Sequence, residues 1–171
     1  MSGFSIIEPM IAITIIGLLL VLAIPSYSEW IQNTRIRTAT EALQNGLQLA
    51  RAEAVRRNAA IQFNLGAGSG WTISLVSDSS VIQTRTAAEG SANVTVTVTP
   101  VGATGVTFNG LGRLNGVGLG STVTRIDTDV PVTILPANLS RNLAIVVDPF
   151  GRVVICDPDP SITAGDSRSC L

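Results

Sequence analysis

The sequence predicts an α+β protein: one long N-terminal helix, apolar in its first half and amphipathic in its second, packed on an antiparallel β-sheet head. Three observations predict it. The stretch PMIAITIIGLLLVLAIP, from Pro9 on, is apolar between Met10 and Ile24 except for Thr14 and Gly17. Between Ser26 and Asn58 there is no proline and only the lone Gly46, and Trp30, Ile36, Ala39, Leu43, Leu47, Ala50 and Ala54 fall mostly three or four apart, an apolar stripe at helical period. After Asn58, short β-branched runs alternate with glycine-rich connections, the pattern of strands and turns.

The first element is long enough to matter for lipid. Adding Phe4 to Ile7 gives about 20 apolar residues, which cross ~30 Å of hydrocarbon as a helix. A secretory signal peptide would carry a basic flank before the core and a small-residue cleavage site after it. No Arg or Lys precedes this core, and AIPSYSEW follows it, so a retained helix is expected. Arg35, Arg37, Glu41, Arg51, Glu53, Arg56 and Arg57 supply most of the polar side of the amphipathic half. One helix from Phe4 to Asn58 would be on the order of 80 Å long, with Pro25 bending it rather than ending it.

The head reads as strands. AIQFNL and WTISLV flank GAGSG as a hairpin. In NVTVTVTPV, Val and Thr alternate, which predicts one buried face. GVTFNG, VPVTIL and LAIVV are further strand candidates, and GRVVICD pairs back across DPFG. NGLGRLNGVGLGST is expected to be loop. The Gly-x-Gly spacings lie in no strand-to-helix context, so they predict no phosphate cradle.

Composition narrows the function. A chain of 171 residues holds one domain plus an extension. It is 46% hydrophobic and 13% charged, apolar for a soluble protein, with a net charge of −1 that recruits neither nucleic acid nor acidic lipid. There is no histidine, which removes imidazole acid–base chemistry, the usual triads and histidine metal sites. Cys156 and Cys170 fit no zinc motif. No catalytic set, cofactor or metal site is predicted, so the chain is not expected to be an enzyme.

Glu8 is the residue that does not fit. It follows Phe4, Ile6 and Ile7, so the apolar segment begins before it. At the headgroup level it would simply be solvated. Deeper, a carboxylate is costly without a partner. The natural partner for a helix beginning at Phe4 is the N-terminal ammonium of a neighbouring copy, which requires cleavage after Gly3.

GFSIIEPMIAITIIGLLLVLAIPSY resembles the N-terminal signature of type IV pilins and type II secretion pseudopilins, over residues 3–28 without a gap. LQLARAEAVRRN, GWTISL, VTFNGLGRL and DPFGRVVIC are similar to the FimT/FimU/GspH minor-pilin subgroup. The resemblance implies a pilin fold. It implies cleavage by a prepilin peptidase after Gly3, N-methylation of Phe4, and a docking role for Glu8, with Gly17 and Pro25 at the family's usual positions. It divides the chain into a leader remnant (1–3), a transmembrane and filament-core helix (4–25), an amphipathic helix of the head (26–58) and a β-rich periplasmic head with a C-terminal loop (59–171). Two departures stand out. The three-residue leader lacks the basic residue that the family carries before the glycine, and Pro9 replaces a large apolar residue. Because proline disfavours α geometry at the residue before it, the regular helix is expected to begin at about Pro9 and leave Glu8 free.

The expected role is a minor type IV pilus subunit: structural, of the priming or tip-complex kind, anchored in the inner membrane with a periplasmic head and later part of the filament. The alternatives are an H-type pseudopilin of a type II secretion system and a DNA-uptake minor pilin. Expected partners are other pilin or pseudopilin subunits, the peptidase and an inner-membrane assembly platform. In a periplasmic head, Cys156 and Cys170 would form a disulfide, as many pilins do, closing a loop of about 15 residues; two unrelated thiols are the alternative. Asp157, Asp159 and Asp166 suggest either calcium or acidic turns. For DNA, the subgroup's Gly-Arg-x-Arg motif is half present at Gly151 and Arg152, and Arg113, Arg141 and Arg152 are the candidate contacts should they converge.

Overall fold

The structure, a computed structural model, describes residues 6–115, 124–163 and 165–170, without the side-chain surroundings of residues 21–23 and 25. Gly3 and Phe4 lie outside the described residues, as does the second half of the glycine-rich segment.

Helix α1 runs unbroken over Ile7–Arg57. Ile6 already has helical angles and Pro9 falls in the first turn, where a missing N–H costs nothing because early N–H groups have no acceptor within the helix. Glu8 is therefore in regular helix, which corrects the expectation that the helix begins after it. As an acid in the first turn, it sits well with the helix dipole. The helix continues through Pro25 and stops at Asn58, whose left-handed conformation (φ 49°) turns the chain. Arg56 and Arg57 lie in the last turn, favourable to the C-terminal dipole.

Eight strands follow: β1 Ile61–Leu65, β2 Trp71–Leu75, β3 Val81–Arg85, β4 Thr95–Thr99, β5 Gly105–Phe108, β6 Arg125–Asp129, β7 Leu143–Val147 and β8 Val153–Cys156. They form two antiparallel four-stranded sheets rather than one, ordered β3-β2-β1-β5 and β4-β6-β7-β8. Both lie on α1, the first through β1, β2 and β5 and the second through β6, β7 and β8. The β1–β2 hairpin pairs Ile61 with Leu75 and Leu65 with Trp71. The β7–β8 hairpin pairs Val147 with Val153 across the DPFG turn. In β4, Val96 and Val98 pack against the core while the threonines face out.

The segment VPVTIL is not a strand. Ile134 and Leu135 both donate backbone N–H groups to Pro131, making a turn whose Val130 and Leu135 pack on Ile36 and Ala39. Strands β3 and β6 carry weaker signals. In β6 the charged Arg125, Asp127 and Asp129 face outward, and only Ile126 and Thr128 point to the core.

The stripe on α1 is the core seam: Ile36, Ala39, Leu43, Leu47, Ala50 and Ala54 are fully buried. Trp30 is not, at 62% exposed, because it lies before the level at which the sheets begin to cover the helix. Gly46 is explained by packing. A Cβ there would lie 2.8 Å from ring atoms of both Phe63 and Trp71, so the glycine lets that aromatic pair rest on the helix backbone. In the core, Thr40 Oγ1 of the helix meets Thr128 Oγ1 of β6 at 2.7 Å and also donates to Ile36 O at 2.8 Å.

Candidate functional site

Three surfaces carry the candidate chemistry: the bare first half of α1, the upper end of the head, and a cleft at its lower end beside the helix.

On the first half of α1, every described large apolar side chain from Ile6 to Ile24 is more than half exposed. They occur all round the helix, so no single neighbour within the chain could cover them. Thr14 Oγ1 donates to Met10 O at 2.8 Å, which satisfies its hydroxyl without water. Among the described residues no helix is long and apolar enough to cross a membrane. In the sequence the apolar run extends from Met10 to Ile24, interrupted only by Thr14 and Gly17. Glu8 is exposed on this surface, and no cation among the described residues pairs with it.

The upper end is built around two turns and the end of the helix. Asn109 Oδ1 accepts the N–H groups of Leu111 (3.0 Å) and Arg113 (3.1 Å), folding the NGLGR segment tightly. Arg51 Nε donates to Gly112 O at 3.0 Å and ties that turn to α1. The same carbonyl oxygen lies so close to Gly151 that no Cβ fits there, and Gly151 is in the left-handed region (φ +78°), so glycine is required twice over. Arg113 lies over the Phe150 ring, its guanidinium carbon 5.7 Å from the centroid. Arg152 donates from its amide and from Nε to Asp148, at 2.9 and 3.0 Å. Burial pushes the Asp148 carboxyl up, and hydrogen bonds from the Arg152 amide and guanidinium and the Phe150 amide outweigh it, leaving a net downward shift.

The structure thus brings Arg113 and Arg152 together at one turn but not Arg141. The Arg141 N–H donates to Asn33 Oδ1 at 2.9 Å, while Arg51 marks the upper turn. Asn33 and Arg51 are eighteen positions apart, about 27 Å along a helix axis. The three arginines do not form one phosphate-binding cluster. Of the two residues that set these positions, Arg51 was legible only as a polar member of an amphipathic helix, and Asn33 was not singled out by the sequence at all.

At the lower end, Cys156 and Cys170 form a disulfide with Cα atoms 5.0 Å apart. It closes the C-terminal segment back on itself, with Asp157 N donating to Arg168 O at 2.7 Å. The acidic residues of this loop serve as turn caps. Asp157 accepts the Asp159 N–H and Asp159 accepts the Ser161 N–H, which lowers the Asp159 pKa. Asp166 receives the Arg168 side chain and amide, which hold it down at about 2. Among the described residues no group of three or more acidic, histidine or cysteine side chains is placed to hold a metal ion.

Between this loop, β4, β6, the 137–143 turn and the exposed stretch of α1 lies an open cleft of about 1230 Å³. Its lining carboxylates are Glu29, Asp127, Asp129, Asp157 and Asp159 and its lining cations Arg37 and Arg141, and Asp127 is already paired with Arg125 at 2.6 Å. Asn33 frames it by donating to Leu139 O at 3.0 Å. Trp30 lines it and stacks on Tyr27, ring centroids 5.9 Å apart.

The family model for the type II transport protein GspH matches residues 39–151. The chain belongs to the GspH family. Its matched region starts on the buried seam of α1 and ends at Gly151, the glycine that seats the upper turn. The solved structures similar to this GspH-family chain include two crystal forms of the Pseudomonas aeruginosa PAO1 type IV minor pilin FimU. The P65 form is 22% identical, covers 79% of this chain and 99% of its own, and superposes with a TM-score of 0.50. The P21 form is 23% identical, covers 80% and 95%, and has a TM-score of 0.48. No curated protein matches the sequence. The fold is a pilin fold, a long N-terminal helix on antiparallel sheets, as the sequence predicts.

Proposed function

We propose that this GspH-family chain is a minor type IV pilus subunit with a structural, non-catalytic role. The observation that carries this reading is the division of one unbroken helix. Its second half buries one apolar stripe against the head, and its first half exposes isoleucine and leucine on all sides. Such a surface requires lipid before assembly and other apolar helices after it. The chain would sit in the inner membrane through the segment ending near Pro25, with the head in the periplasm, where its disulfide is stable. A prepilin peptidase would cleave after Gly3 and expose Phe4 for methylation. An assembly platform would then draw the subunit into a filament, with Glu8 paired to the terminal amine of a neighbouring pilin-type subunit.

Glu8→Ala tests this. The variant should remain in the membrane and be trimmed after Gly3, as read by mass spectrometry of the extracted protein, but be lost from sheared filaments. Normal incorporation of a normally trimmed variant refutes the role of Glu8. A second reading is an H-type pseudopilin of a type II secretion system, favoured by the family's own description as a type II transport protein. The two differ in which fibre contains the chain, and the same shearing experiment reads that.

A further inference from the structure

Two aromatic side chains of α1 belong neither to the apolar run nor to the core of the head. Tyr27 and Trp30 are 63% and 62% exposed, lie one turn apart on one face of the helix, and stack on each other. The apolar stripe of the sequence includes Trp30, yet among the described residues the buried seam begins only at Ile36. Among those residues, neither the Tyr27 hydroxyl nor the Trp30 indole N–H has a hydrogen-bond partner. Glu29 is the only charged residue between Ile24 and Arg35. Large rings with a polar tip, placed just past an apolar run of lipid length, have the character of side chains that gather at a membrane surface.

We propose that Tyr27 and Trp30 seat in the phospholipid headgroup layer on the side that carries the head, and fix the height of the head above the bilayer before assembly. Distances along the helix axis carry this. From Ile6 to Ile24 the helix rises about 27 Å, which nearly fills ~30 Å of hydrocarbon. Tyr27 and Trp30 stand about 4.5 and 9 Å beyond Ile24. The headgroup layer on one side is about 5–7 Å deep. Helical side chains tilt toward the helix N-terminus, which brings the Trp30 ring back toward the bilayer from its Cα. Asn33, which ties the helix to the head by donating to Leu139 O at 3.0 Å, lies about 14 Å beyond Ile24. The aromatic pair therefore occupies the gap between hydrocarbon and head. There the ring bodies cover apolar surface, and the hydroxyl and indole N–H donate to ester and phosphate oxygens. Sinking would strip those donors of partners, and rising would return both rings to water, so the pair resists displacement in either direction.

This seat deepens the membrane reading proposed above and rests on it. The test uses the full-length chain reconstituted into phosphatidylcholine vesicles brominated either near the headgroup or near the end of the acyl chain. The chain has two tryptophans, and Trp71 is buried in the head, so lipid bromine reports on Trp30. Fluorescence should be quenched more by the shallow bromines than by the deep ones, and the quenching should be lost in Trp30→Leu, a change at an exposed site that leaves the core intact. A chain that floats with the vesicles but is quenched no more than Trp30→Leu overturns the headgroup seat and leaves the membrane anchor standing. Stronger quenching by the deep bromines places Trp30 within the hydrocarbon and overturns the seat in the same way. A Trp30 that stays open to acrylamide in vesicles and is shielded only in sheared fibre assigns the pair to a neighbouring subunit, which also overturns it. A chain that does not float with the vesicles overturns the anchor and the seat with it.

Discussion

Gly151→Ala should destabilise the head far more than an alanine placed at another left-handed glycine. Two costs apply at Gly151. The first is conformational, about 1 kcal/mol for moving a side chain into the left-handed region. The second is steric, because the new Cβ would overlap the Gly112 carbonyl oxygen, which is backbone and must retreat. Retreat breaks the bond from Arg51 Nε to Gly112 O, a charged-donor hydrogen bond worth about 1.5–3 kcal/mol. Gly102 is the control: its φ is +86° and nothing lies within 4 Å of a Cβ there, so Gly102→Ala pays the first cost alone. The expected difference between the variants is about 2 kcal/mol. Urea unfolding of the full chain in non-ionic detergent, followed by fluorescence of the buried Trp71, should show it as a midpoint shift of about 1 M. Arg51→Ala combined with Gly151→Ala should be clearly less than additive, since both remove the same bond. Equal midpoints for the two glycine variants would refute the account of the upper end as a node locked by Arg51, Gly112 and Gly151.

Replacing Cys156 and Cys170 together by serine should cost about 3 kcal/mol in the chain-entropy account of a loop of this length, and limited proteolysis should then cut between residues 157 and 169 first. Leu47→Ala, at a fully buried site on the helix seam, should cost about 2–5 kcal/mol by the same unfolding assay. Glu53 is held down at about 2 by hydrogen bonds from Arg56 and Arg57. Because its folded pKa is depressed, its contribution is complete above its ordinary value of 4.5 and fades as pH falls from there toward 2. Glu53→Gln should therefore flatten part of the acid limb of the stability profile over that window and leave its shape above pH 6 unchanged.

The long helix was legible because both its signals are local. Continuous apolar composition and a repeat of three to four residues are properties of neighbours in sequence, and helical hydrogen bonds are equally local. The β1–β2 and β7–β8 hairpins were legible for the same reason, their strands being joined by short glycine-containing turns. The strand misread in VPVTIL failed because β-propensity reflects packing partners, and there the apolar side chains Val130 and Leu135 are buried by a turn against Ile36 and Ala39. Strand β6 was missed because its outward positions are charged, and its partners β4 and β7 come from distant parts of the chain.

By itself the sequence determined that an exposed apolar helix must find lipid or other helices, that no histidine chemistry is available, and that Glu8 stands within an apolar segment. Tertiary structure alone decided that the strands divide into two sheets, that Gly46 makes room for Phe63 and Trp71, and that Arg113 joins Arg152 while Arg141 lies at the other end of the head. Each of those depends on which distant segments meet, and a pairing between segments a hundred residues apart leaves no period in the chain to read.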